Sequence, residues 1–284
     1  MSRTATIFAA ITIALWSFLA FFGSQLTRVP PFLLVGIALT IGGLIGIWKI
    51  ASWRVPLATF AVGIYGIFGY HFLLFSAFQQ APAVEANLMN YLWPLLIVLL
   101  TPLFLVGHKL RLHHVLGALI GLAGAALIVT GGRLSLDMVH LKGYLMAAGA
   151  AFVWASYSLL TKRVAAFPTA AVAGFCFFSG LLSLAVFFAS SPSFNPLQAL
   201  TSYEWLFLLL LGAGPMGLAF FTWDAALKRG DPRIIGSLSY ITPLTSTSLL
   251  VLAGGRSFTW ISGVALVLIL TGAVIGSLDL FRQV

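Results

Sequence analysis

Few side chains in this sequence can do chemistry. Six carboxylates (Glu85, Asp137, Glu204, Asp224, Asp231 and Asp279) and five histidines are spread over 284 residues, 61% of them hydrophobic. Every carboxylate falls at or near the end of an apolar stretch, away from the depth where ion-coupled carriers keep one. Glu85 and Asp224 are the least end-like, as gate residues or as helix-end charges. The pattern favours passage down a gradient over active antiport. His71 lies deep, beside Tyr70 and in a stripe with Phe68, Phe75 and Phe78. Such a histidine either hydrogen-bonds between helices or meets substrate and senses a proton. His108, His113 and His114 belong to a basic joint and read as interface residues, not as a metal site. The sequence has no Gly-x-Ser-x-Gly elbow, phosphate-cradling loop, His-Glu-x-x-His pair or paired deep carboxylates. No catalytic residue, metal or cofactor is therefore expected. The one cysteine, Cys176, permits no internal disulfide or zinc site and reads as a packing residue.

What remains is aromatic. Trp and Tyr normally collect in belts at the two membrane interfaces, where Trp53, Tyr144, Tyr203, Trp205 and Trp260 fit. Trp16, Tyr91, Trp93, Trp154, Tyr157 and Tyr240 sit deeper, in both halves of the chain. Core packing would explain each singly; together they suggest a ring-lined cavity. Stacking there is worth about 0.5–1.5 kcal/mol per pair and suits an apolar or aromatic substrate side chain. Two short stretches hold several of these residues, Asn90-Tyr91-Leu92-Trp93-Pro94 and Ser239-Tyr240-Ile241-Thr242-Pro243. Pro94 and Pro243 lack an N–H and displace the carbonyls of Asn90 and Ser239 four residues back. Freed carbonyls at membrane depth must be buried in protein or face a wet cavity. With Asn87, Asn90, Ser239 and Thr242 they offer hydrogen bonds to an amine or carboxylate. Pro215, inside the glycine-rich stretch 211–217, is expected to kink a helix and act as a hinge.

The elements that carry these residues are membrane spans. Only 7% of the residues are charged, against roughly a quarter in soluble domains. Apolar windows of about 20 residues, each long enough to cross the hydrocarbon core, fall near 4–22, 31–50, 55–78, 83–105, 112–130, 141–160, 169–189, 203–223, 233–252 and 258–280. Short joints separate them, with turn residues such as Ala81-Pro82, Gly131-Gly132, Ser191-Pro192, Gly230-Asp231-Pro232 and Gly254-Gly255. The net charge of +9 forms no stripe, which argues against a nucleic-acid partner. It is distributed by side instead. With the N-terminus inside, eleven basic residues, among them Lys162, Arg163, Lys228, Arg233 and Arg282, fall on the cytoplasmic side. Four (Arg28, Arg133, Lys142 and Arg256) fall opposite, so both termini are predicted to be cytoplasmic.

The chain also repeats. Trp16 matches Trp154, Tyr91-x-x-Pro94 matches Tyr240-x-x-Pro243, and Gly124 matches Gly272, at offsets near half the length. Such a repeat implies two units of five helices, 1–135 and 136–284, the second inverted because five is odd. That arrangement puts a substrate site between the halves. Glycines four apart (Gly42/Gly46, Gly117/Gly121 and Gly272/Gly276) are expected to bring helices into close contact.

These features resemble the drug/metabolite transporter superfamily in its EamA-type, ten-helix form. The resemblance rests on Trp16 and Trp154, the paired Tyr-x-x-Pro segments and the glycine-rich fifth and tenth helices. The run 88–94 looks most like the aromatic amino-acid exporter branch. The resemblance implies a bacterial inner-membrane exporter with a central cavity lined by helices 1, 3, 4, 6, 8 and 9. The sequence departs from the family at Trp93 and Thr242, where many members carry Glu before the proline, which removes the groups that would carry over proton coupling. The reading is an all-α, ten-helix exporter of aromatic and other apolar amino acids, in contact with membrane lipid and of open oligomeric state. Its candidate substrate residues are Trp16, His71, Asn90, Tyr91, Trp93, Trp154, Tyr157, Ser239 and Tyr240. An exporter of other small metabolites or drugs, possibly proton-coupled, is the nearest alternative. A membrane receptor or scaffold that moves nothing is the alternative of another class.

Overall fold

Proline and glycine punctuate the chain where its helices begin, bend and end. The computed structural model describes residues 2–133, 136–190, 195–252 and 259–280. The regular elements among these are all helices, with no strand. The helices are α1 (Arg3–Gln25), α2 (Pro31–Leu44), α3 (Leu57–Phe78), α4 (Ala83–Phe104), α5 (Leu112–Thr130), α6 (Met138–Leu160), α7 (Ala171–Ser190), α8 (Ser202–Arg229), α9 (Pro232–Leu252) and α10 (Trp260–Gly276). Pro31 and Pro232 open α2 and α9, where a missing N–H costs nothing, and Gly131 ends α5 in the left-handed conformation. Thr201 and Glu204 form a capping box at the start of α8.

Eight of the described helices are long and apolar enough to span a membrane, up to nine if α2 and the turn after it are one broken span. α10 is apolar but only 17 residues long. The expected crossing at 31–50 is shorter than its window. The helix stops at Leu44, and the chain turns by 90° into a 3-10 segment, Ile47–Trp53, with Trp48 exposed. Gly42, Gly43 and Gly46 cluster at that end and weaken the helix where the chain must turn. The joints Ser191-Pro192 and Gly254-Gly255, and the basic residues Arg256 and Arg282, lie outside the described residues.

Two helix pairs form the frame, and both pack through glycine. A Cβ at Gly272 of α10 would lie 2.5 Å from the Gly121 nitrogen of α5. On the other flank, a Cβ at Gly43 of α2 would lie 2.6 Å from Phe177 of α7. Without a side chain in the way, backbones approach directly, which supplies the packing that drives association inside a bilayer. Gly42, in contrast, meets α8: a Cβ there would lie 2.5 Å from the Met216 carbonyl. Between the two frames run α1, α3, α4, α6, α8 and α9. Five of these six are interrupted midway: α1 at Phe18, α3 over Tyr65–Gly69, α4 at Tyr91–Leu92, α8 over Gly214–Leu218 and α9 at Tyr240.

Candidate substrate site

The interruptions aim side chains inward. In α3 and α8 they are π-helical turns, each of which adds a residue and rotates the remainder of the helix about its axis. Pro215 sits in the α8 turn, so the kink expected there takes this form. The α3 turn delivers Tyr70 and His71. His71 Nδ1 lies 2.6 Å from the Ile67 carbonyl. A carbonyl only accepts, so Nδ1 carries the proton and the neutral ring keeps a lone pair on Nε2. The Tyr70 hydroxyl accepts a hydrogen bond from Asn90 Nδ2 at 3.1 Å, tying α3 to the α4 break. Gly66, in the same turn, leaves room for Tyr157, since a Cβ there would overlap the tyrosine ring.

The α8 turn delivers Phe220 and Trp223. Trp16, Trp93, Trp154 and Trp223 come from α1, α4, α6 and α8 and form one buried cluster. Trp16 has its ring centroid 5.9 Å from Trp93, 5.8 Å from Trp154 and 5.2 Å from Trp223. Trp223 is 5.5 Å from Trp93 and 6.0 Å from Trp154. Tyr70 and Tyr157 flank Trp154 at 5.3 and 5.4 Å, and His71 meets Phe220 at 5.9 Å. Most of these pairs are edge-to-face or tilted, which ring quadrupoles favour. The Trp223 N–H donates to Ser158 Oγ at 3.1 Å. The indole nitrogens of Trp16, Trp93 and Trp154, the hydroxyls of Tyr91 and Tyr157, and His71 Nε2 have no protein partner among the described residues. Nor are they among the sealed polar atoms, which include Asn90 Oδ1 and Thr242 Oγ1. Buried rings with open polar tips are what an amphipathic ligand would require.

Six of the nine expected residues thus converge: Trp16, His71, Asn90, Trp93, Trp154 and Tyr157. Tyr91 comes directly after Asn90, is half-buried, and ends the first segment of α4. Ser239 and Tyr240 differ from expectation. Ser239 is buried and donates to Ile235 C=O of its own helix at 2.8 Å, so its hydroxyl is already used. Tyr240 is fully buried, in one apolar cluster with Leu95, Val98, Ala118, Ala125 and Ile269 and apart from the tryptophans. Its hydroxyl accepts from Leu95 N–H at 3.1 Å and donates to Tyr91 C=O at 3.3 Å.

Sequence reading missed Trp223, Phe220 and Ser158. The eighth window was expected to end at Trp223, which placed that residue at the margin of the span and not among the deep aromatics. The helix instead runs six residues further, to Arg229, and the same indole lies among the buried rings. Phe220 offered no polar atom to notice. A signal for both was the spacing from Pro215, once a turn there rotates the residues after it.

Charge gathers at the end of the molecule that holds Ser2, Arg163 and Asp279. Asp224 is buried, and its Oδ2 accepts from Lys228 at 2.7 Å and from Thr169 at 2.6 Å. Lys228 also donates to Phe167 C=O at 2.8 Å and lies 3.8 Å above that ring. Lys162 donates to Leu227 C=O at 2.6 Å, and Arg163 to Phe104 C=O at 2.7 Å, so basic groups cap the ends of α8 and α4. Burial lowers the Lys162 pKa. Arg233 joins α9 to the carbonyl of Lys109 and holds Asp231 at 2.5 Å. Burial pushes the Asp231 carboxyl up, but hydrogen bonds from the Arg233 side chain and backbone outweigh it and leave the group below the ordinary carboxylate value. Asp279 is likewise depressed, burial being overcome by Arg111 at 2.8 Å and by His114 and His113.

Stability from a depressed carboxyl is present above its unfolded pKa and lost as pH falls through the folded one. The melting temperature in detergent should therefore hold from pH 7 to about 5 and drop below about 4. Asp231→Asn should flatten part of that drop; an equally steep profile in the variant would refute the assignment.

His113, His114 and Asp279 bring three potential ligand atoms within 4.8 Å of one another. They suit a metal poorly. His114 Nδ1 accepts the Arg111 backbone N–H at 3.3 Å, so the proton sits on Nε2, facing Asp279 Oδ2 at 3.2 Å. That nitrogen has no lone pair to give, whereas a metal-bound histidine needs the reverse tautomer.

The profile of the EamA-like transporter family matches the chain twice, over residues 3–130 and 141–278. The chain is 43% identical over 288 residues to a protein of Ancylobacter novellus named "Aromatic amino acid exporter YddG", covering 98% of this chain and 99% of that one. A protein of the same name from Salmonella typhimurium is 29% identical over 65% of this chain and 64% of its own length. A solved crystal structure with 42% identity matches with a TM-score of 0.89, covering 98% of this chain and 99% of the other.

Proposed function

Since the chain belongs to the EamA-like transporter family, we propose that it exports aromatic and other apolar amino acids across a bacterial inner membrane by alternating access. The observation that carries this reading is the cluster of four tryptophans from α1, α4, α6 and α8, with polar tips left open around it. An aromatic side chain joins such a cluster edge-on, in the geometry that ring quadrupoles favour. The indole N–H groups donate to the substrate carboxylate, while the lone pair on His71 Nε2 accepts from its ammonium. Tyr91 and Tyr157 complete the cradle, and Asn90 holds the Tyr70 hydroxyl beside it.

Transport is facilitated rather than proton-driven. The one buried carboxylate close to the rings in sequence, Asp224, is already neutralised by Lys228. The halves 1–135 and 136–284 act as inverted units around the cradle. Both termini are cytoplasmic, because the basic groups gather at that end.

Counterflow in proteoliposomes tests this. Labelled phenylalanine should exchange, with tryptophan competing, and an imposed pH gradient should not raise accumulation above equilibration. No phenylalanine exchange would sink the amino-acid reading. Accumulation driven by the pH gradient would sink facilitation alone.

A further inference from the structure

The two tyrosines that match each other by offset have come apart in role. Tyr91 and Tyr240 each sit where a broken helix resumes, in α4 and α9. In a regular helix the Leu95 N–H would close on the Tyr91 carbonyl. Here the Tyr240 hydroxyl stands between the two, accepting from one and donating to the other. A residue of the second half thereby completes the backbone ladder of the first. Insertion of a side chain into that ladder is a recognised cause of a sharp kink. The Tyr91 hydroxyl, by contrast, bonds to nothing among the described residues.

A difference one helix away accounts for the split. The Tyr240 ring fits because α5 has glycine opposite it: a Cβ at Gly121 would lie 2.6 Å from Tyr240 Cδ2. At the offset of 148 or 149 residues that relates the halves, the counterpart of Gly121 is Ile269 or Leu270. No equivalent slot is offered to Tyr91. α9 also presses on the break directly, since a Cβ at Gly236 would lie 3.1 Å from the Pro94 carbonyl.

We propose that Tyr240 is a positioning residue through which α9 holds the α4 break, and with it Asn90, Tyr91 and Trp93, in the geometry that accepts substrate. This rests on the reading of those three as substrate residues. Movement of α9 withdraws the hydroxyl, unpairs Leu95 N–H and Tyr91 C=O and lets the cradle change shape. Access and affinity are then coupled through one oxygen atom.

Tyr240→Phe keeps the ring in its slot and removes only the hydroxyl. Phenylalanine counterflow by this variant should show KM raised and maximal flux lowered, each by roughly fivefold, as expected for one lost bridging hydrogen bond. Backbone amide exchange over 91–95 should quicken, a readout that needs no substrate. Gly121→Ala should shift both measurements the same way by displacing the ring, and the double variant should fall short of additivity. Tyr91→Phe, in contrast, should leave amide exchange unchanged. The proposal is overturned if Tyr240→Phe keeps KM and flux within twofold of wild type per folded molecule, or if exchange over 91–95 is unaltered. A wild-type protein that moves no phenylalanine would instead defeat the transport reading, while the exchange result still decides whether Tyr240 holds the break.

Discussion

Trp223→Ala should cost the most stability of any single ring deletion and should abolish flux. The indole touches three other tryptophans and is 2% exposed, and its N–H is used by Ser158. Truncating a buried tryptophan removes its contacts and leaves a cavity, at about 3–5 kcal/mol in well-packed cores. That is a large share of a typical net stability of about 5–15 kcal/mol. The loss extends beyond the site, because α1, α4 and α6 each meet α8 through this ring. Trp223→Phe separates the causes. It keeps most of the apolar volume and gives up the N–H, so it should cost closer to 1–2 kcal/mol, about the worth of a buried hydrogen bond with some packing loss. Melting temperatures in detergent and phenylalanine flux per folded molecule measure both. If Trp223→Ala melts within about two degrees of wild type, where a change of 1 kcal/mol already moves a protein of this size by about 2–4 °C, the cluster does not hold these helices together.

How such a cluster was partly visible beforehand is a matter of which forces leave a trace in sequence. Hydropathy and length placed the spans, because a bilayer demands about 20 apolar residues whatever their order. The expected windows accordingly overlap α1 through α10. Trp16, Trp93 and Trp154 stood out because tryptophan at depth is unusual, and the tyrosine–proline pairs because proline must break a helix. The π turn at Tyr65–Gly69 left no such trace. It contains no proline, and the extra residue is stabilised by tertiary fit, including the Tyr157 ring over Gly66. Nor could Tyr240 have been separated from Tyr91 by its own neighbours. The deciding residue is Gly121, more than a hundred positions away, and only packing brings the two together. Asp224 was legible as an ambiguous charge. Its burial became definite once α8 proved to extend to Arg229 and put Lys228 one turn further along the same face.

That pair yields the second large effect. Lys228→Met should destabilise far more than Asp224→Asn, although each removes one partner of the same contact. Methionine leaves a carboxylate that is 2% exposed with only the Thr169 hydroxyl as a donor, its other oxygen having no partner at all. Uncompensated buried charge costs about 3–5 kcal/mol. Lys228 is 26% exposed, so solvent screening puts the expected loss near the lower end of that range. Asparagine makes the opposite change. The ammonium that remains can reach solvent and still donates to the Phe167 carbonyl over its ring, so roughly 1 kcal/mol is expected from one weakened hydrogen bond. The double variant Asp224→Asn/Lys228→Met should recover stability relative to Lys228→Met alone, because the stranded charge is gone. Melting curves for the four proteins complete the cycle, with a coupling energy of order 2 kcal/mol expected for residues in contact. Equal losses in the two single variants, with additivity in the double, would mean that the pair is solvated and that Asp224 is not held as a buried charge.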